Sequence, residues 1–177
     1  MAQTTAQADA ALVRALADNP GVVIEEAART HGATPRQVIE ALPEEMRAIG
    51  PGSAFVAAMA DIGSWGDVTL IVHTEDGIFE AGGPVPAGEV GRGYYNIPGG
   101  GALHGHLRHE RCGGVAFVER SFMGRSSAFV AFLNIDGGIM FKVFVGRDAA
   151  RNMKPEQLAA FRRLRDAVCG DAAGGGG

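Results

Sequence analysis

The chain has 177 residues and a mass of 18.3 kDa, about the length of one domain with room for a short appendage. Hydrophobic residues make up 46% and charged residues 20%, which excludes a disordered or fibrous chain, and a net charge of −4 with a pI near 5.7 argues against a general nucleic-acid binder, which needs a basic face. No run approaches the roughly 18–20 apolar residues of a membrane span. "MAQTTAQADAALVRALADNP" lacks a basic start and is interrupted by Asp9, Arg14 and Asp18, so a cytoplasmic protein with no secretory signal and no membrane or nucleic-acid partner is expected.

Residues 1–50 read as a small helical head. Residues 10–17 are helical by composition and stop near Asn19-Pro20. "GVVIEEAARTHG" places Val23, Ile24, Ala27 and Ala28 on one face before a Gly32 stop; in "TPRQVIEALP", Thr34 caps a helix that has Pro35 in its first position and Val38, Ile39 and Leu42 at helical spacing. A glycine turn between two amphipathic helices has the outline of a DNA-binding helix-turn-helix. Residues 1–48 carry seven acidic and four basic side chains, a balance that phosphate repels, so a structural role is expected instead.

From Asp67 the pattern changes to period two. "DVTLIVH" ends at His73, "GIFEA" follows a tight turn at Glu75-Asp76-Gly77, and Pro84 and Pro86 then interrupt the chain. "CGGVAFVER", "SSAFVAFLN" and "GIMFKVFVG" are strong strands with short connections, and the spacing predicts an antiparallel meander with no parallel crossover. "KPEQLAAFRRLRDAVCG" is a helix with Leu158, Phe161, Leu164 and Val168 on one stripe, suited to lie on the sheet. The fold class is therefore α+β: a head over residues 1–50, a large antiparallel β-sheet with a C-terminal helix over residues 51–170, and a flexible tail over residues 171–177, one compact domain overall.

Three of the five histidines fall in "GALHGHLRHERCGG", as His104, His106 and His109, with Cys112 just beyond. The spacings invite a zinc reading, but a structural zinc needs four converging ligands, and no second cluster or CxxC pair completes the shell. Cys112 and Cys169 read as reduced thiols. His73 differs in kind, because it closes an apolar strand at the rim of a sheet; a satisfied half-buried histidine and a metal-binding imidazole both fit that position.

Five blocks go beyond composition: "WGDVTLIVHTEDGIFE" (from Trp65), "GYYNIPGG" (from Gly93), "GHLRHERC" (from Gly105), "VAFVERSFMGRSSA" (from Val115) and "FLNIDGGIMFKVFVGRD" (from Phe132). Together, and in this order, they resemble the HutX/ChuX family, the intracellular haem carriers of bacterial haem-utilisation and iron-acquisition systems; the resemblance runs from about Gly21 to Val168. It implies a helical head on an antiparallel sheet, related to one half of the larger haem proteins of the same systems, and a homodimer.

The histidine of the family's "VHTxD" block matches His73 and that of its "GHLR" block matches His106, which the resemblance implies as haem-iron ligands, leaving His104 and His109 incidental. Tyr94 or Tyr95 offers a phenolate as an alternative iron ligand. Arg92 and Arg108, with Arg120, Arg125, Lys142 and Arg147, are the cations available to the haem propionates. Two departures stand beside the implied pocket: Ala81 and Gly82 replace a bulkier apolar residue, and Arg92 stands where relatives can carry a histidine. The function implied is a non-enzymatic carrier that holds haem and transfers it to a haem-degrading partner. The alternative is an enzyme that degrades or reduces haem or a related tetrapyrrole with an external reductant, since "IPGGGALHG" lacks the strand-GxGxxG-helix setting of a nucleotide site.

Overall fold

The computed structural model describes residues 2–170, so the glycine-rich tail expected over residues 171–177 lies outside the described residues. The chain opens with three helices, α1 (Ala2–Asp18), α2 (Ile24–His31) and α3 (Pro35–Ala41). Gly32 ends α2 in the left-handed conformation, with φ of 62°, as the glycine stop required. At the next turn the Thr34 hydroxyl accepts from the Gln37 N–H at 3.2 Å while Gln37 Oε1 accepts from the Thr34 N–H at 2.8 Å, a complete capping box ahead of Pro35. The apolar stripes of these helices, including Leu12, Leu16, Ile24, Val38 and Ile39, are buried together.

The end of the predicted head behaves differently. Strand β1 (Arg47–Gly50) joins the main sheet, so the last residues of the 1–50 segment pair with a strand far along the chain. Helix α4 (Phe55–Ile62) follows; the sequence reading misses it, because it is short and apolar almost all round. Then come β2 (Asp67–His73) and β3 (Ile78–Pro84), a small sheet of β4 (Glu89–Gly91), β5 (Tyr94–Ile97) and β6 (Gly105–Leu107), the meander β7 (Cys112–Phe122), β8 (Arg125–Asn134) and β9 (Ile139–Phe144), and the C-terminal helix α5 (Pro155–Cys169).

The main sheet has six strands in the order β1-β7-β8-β9-β2-β3, and every named pairing in it is antiparallel. The β7–β8 hairpin turns on Met123 and Gly124, whose φ values of 50° and 74° are those of a two-residue primed turn that follows the strand twist. Asn134 shapes the β8–β9 connection, its Oδ1 accepting from the N–H groups of Asp136 and Gly138, each at 2.9 Å.

Strand β8 is buried on both faces, which is why it reads as a nearly unbroken apolar run. Ala128, Val130 and Phe132 face a core completed by Phe55, Met59 and Ile62 of α4 and Phe161 and Leu164 of α5. Phe129, Ala131 and Leu133 face the helical head. The small sheet packs on the α4–α5 side through Tyr95 and Ile97, and a T-shaped contact at 5.5 Å joins Tyr95 to Phe55. Gln157 of α5 ties the layers: its amide donates to the carbonyls of Trp65 and Asp67, and its Oε1 accepts from the Gly146 N–H at 2.7 Å.

Candidate functional site

The head covers part of its sheet face, docking α2 against the end of β2 and against β9, and leaves a stretch from the end of β7 across β8, β9 and β2 to β3 open beside Val23 and Ile24. The result is a cleft of about 680 Å³, within the range that holds small molecules and cofactors. Ile71, Ile78, Phe122, Phe129, Phe144 and Val145 give it apolar walls. Its polar groups are His73 at the end of β2, Arg120 of β7, Lys142 of β9, and Arg147 and Arg151 beyond β9, together with the hydroxyls of Thr69 and Ser127 and one carboxylate, Glu80 of β3.

His73 stands where α2 meets the sheet. Its Nδ1 lies 3.3 Å from Glu25 Oε2, and the two side chains are only 9% and 12% exposed. The ring is turned off the line of a hydrogen bond, and Oε2 has no hydrogen-bond partner. The other oxygen of Glu25 accepts from Lys142 Nζ at 2.5 Å. Glu25 thus neutralises a buried ammonium and faces the imidazole at once.

Arg120 is the most exposed to electrostatic cost. Only 8% of the residue reaches solvent, and its NH2 group donates to the Val22 carbonyl at 2.5 Å, while Nε and NH1 have no partner. Desolvation pushes its pKa down to about 10, with Glu25 acting in the opposite sense, so the guanidinium remains charged at neutral pH. Burying a cation with two unpaired donors is costly, so Arg120 lacks the partners that such a group ordinarily has. Arg147 is exposed and donates to the carbonyls of Ser126 and Arg151.

The structure does not bring His106 to this cleft within one chain. His106 is exposed on β6 in the small sheet, opposite Asn96 of β5. Asn96 Nδ2 is committed to backbone carbonyls, among them Gly91 at 3.0 Å, so its Oδ1 accepts from His106 Nδ1 at 2.6 Å and leaves Nε2 of that ring open. Tyr94 lies edge-on to His106 at 5.9 Å, and the Arg108 guanidinium stands 6.0 Å from the Tyr94 ring. Arg92 occupies the β4–β5 turn with φ of 55°, exposed.

Tyr95 points the other way, only 1% exposed in the core, with its hydroxyl accepting from the Gly88 N–H at 2.9 Å. His104 is exposed in the loop before β6, and His109 sits half-buried beside Phe55. Among the described residues no three His, Cys, Asp or Glu side chains converge on a metal position. Cys112 and Cys169 are both free, and burial raises the pKa of each thiol. No helix is long and apolar enough to cross a membrane among the described residues.

The sequence reading places His73 at a rim and counts Arg120 and Lys142 among several cations, but it misses Glu25. An acid in the first turn of an acidic helix looks like a solvated charge; only the docking of α2 on β2 and β9 turns it inward.

Residues 48–164 match the family model described as haem utilisation ChuX/HutX. The chain is 39% identical over 151 residues to the intracellular heme transport protein HutX of Vibrio cholerae serotype O1, covering 85% of this chain and 78% of that protein. It is 34% identical to the heme-binding protein ChuX, whose structure superposes with a TM-score of 0.82 and covers 89% of this chain and 98% of the other. At the level of fold alone, it matches the heme-degrading enzyme ChuS of Escherichia coli O157:H7 at 17% identity and a TM-score of 0.70, covering 85% of this chain and 43% of that one, so the single sheet with its helices corresponds to one half of the larger protein. The chain belongs to the ChuX/HutX haem-utilisation family.

Proposed function

We propose that the protein is a non-enzymatic haem carrier that holds haem in the cleft between head and sheet and delivers it, within the cell, to a haem-degrading partner. The observation that carries this reading is the pairing of an imidazole, His73, with a buried and under-bonded guanidinium, Arg120, across an apolar cleft. Haem asks for these three things: a nitrogen ligand for iron, cations for its propionates and an apolar wall for the macrocycle. The kinship with HutX and ChuX supports the choice of haem over other planar anions.

In this reading His73 ligates the iron through Nε2, and Arg120 with Lys142 and Arg147 receives the propionates. His106, with Tyr94 and its cationic neighbours Arg92 and Arg108, serves the cleft of a second copy in a homodimer, since one chain keeps the two histidines apart. Tyr95 is structural. An open cleft with few bonds to the iron suits a carrier, because the cargo must leave as well as bind. Haemin titration followed in the Soret region tests the reading; saturation at one haem per chain is expected, and a linear, non-saturating response would overturn it. Adding ascorbate to the complex separates carrier from enzyme: a carrier leaves the chromophore intact, whereas bleaching with bilin bands would establish turnover.

A further inference from the structure

Glu25 and His73 meet across the seam between the head and the sheet, and the carboxylate is bonded on one side only. Oε1 is taken by Lys142 at 2.5 Å, whereas Oε2, buried and without a hydrogen-bond partner, lies 3.3 Å from His73 Nδ1. Leaving a buried acceptor unpaired is costly, and at 3.3 Å a rotation of the imidazole would bring an Nδ1–H onto the line of Oε2.

A neutral imidazole carries one proton, so a proton held on Nδ1 leaves the lone pair on Nε2. Histidine free in water prefers the opposite tautomer, with the proton on Nε2. We propose that Glu25 is a positioning residue that selects the Nδ1–H tautomer of His73 and so keeps Nε2 an open electron-pair donor toward the cleft. Lys142 is the second half of the device. By cancelling the charge of the carboxylate, it lets Glu25 orient the ring as an acceptor without presenting the cleft with a net anion, and Arg120 adds further positive potential on the cleft side.

The arrangement parallels the carboxylate–histidine pairs that orient metal ligands generally, where the outer partner fixes tautomer and ring direction. Here that partner comes from the head. The donor nitrogen is therefore set by the docking of α2 on the sheet, and the head, which covers no more than part of the cleft, gains a role in ligation. The haem reading enters only in naming what Nε2 donates to; the tautomer is a property of the protein without cargo.

The test is a long-range 1H–15N correlation spectrum of the haem-free protein labelled at its histidines, which reports which ring nitrogen carries the proton. His73 is expected as the Nδ1–H form in the native protein and as mainly Nε2–H in the double variant Glu25→Leu/Lys142→Met, which removes both buried charges together and so keeps the site neutral and foldable. His106, whose Nδ1 already faces Asn96 Oδ1, is the internal reference and stays Nδ1–H in both. A native His73 in the Nε2–H form, or one unmoved by the double substitution, would overturn the proposal even if haem binds normally. A native Nδ1–H tautomer in a protein that takes up no haem would leave the proposal standing and overturn the haem reading instead.

Discussion

Glu25 of α2 and Lys142 of β9, 117 residues apart in sequence, form a 2.5 Å ion pair at the junction of head and sheet, with side chains 12% and 7% exposed. Charges this deep are stable only together, because each loses its hydration. Lys142→Met alone or Glu25→Leu alone is expected to cost about 3–5 kcal/mol, and the double substitution much less than the sum. Urea unfolding of the three variants checks this; additive costs would show that the two groups do not depend on each other.

Arg120 is expected to trade stability for binding. Replacing it with Met removes the desolvation penalty that depresses its pKa and also the bond to the Val22 carbonyl, so the haem-free protein should stay within about 1 kcal/mol of the native stability. Affinity for haemin should fall about ten- to hundredfold, the loss of a charge-assisted bond. Haem dimethyl ester, which has no carboxylates, is the control: native protein and variant should bind it alike.

The two tyrosines should separate cleanly. Tyr95→Phe deletes the hydroxyl that accepts from the Gly88 N–H and should cost about 0.5–1.5 kcal/mol of stability with no change in the haem spectrum. Gly88→Ala should be worse, since a Cβ there would fall 2.5 Å from Tyr95 Cε1. A spectral change in Tyr95→Phe at unchanged stability would return this residue to the list of iron ligands.

If His106 serves the cleft of a second copy, His73→Ala and His106→Ala chains should complement each other. Mixed after partial unfolding and refolding, they form some dimers that hold one site with both histidines intact. Haem binding in the mixture should then exceed that of either variant alone. Equal binding would mean that His106 does not contribute across a dimer.

Much of this architecture was legible because its signals are local. The strand ending at His73 and the apolar run of β8 declare themselves by period and length, and the cap of α3 by Thr34 and Pro35. Helix α4 was not legible, since Phe55 to Ile62 is nearly all apolar and shows no clear stripe. Nor were β4, β5 and β6, whose three or four residues each among glycines are too short for an alternation to register. In the site, His73 could be picked out by its place at the end of a strand, and the long motif blocks marked it through family likeness. The partnership of Glu25 with His73 and Lys142, and the orphaned nitrogens of Arg120, arise only when segments from about fifty to more than a hundred residues apart are docked, and no spacing along the chain encodes them.

If His73 in the cleft is the iron ligand of a haem carrier, haemin titration of the native protein beside His73→Ala will show it. A saturable Soret change at one haem per chain is expected in the native protein, with weaker binding and a shifted band in the variant. Superimposable titrations of the two proteins would contradict it and move the ligand away from this cleft.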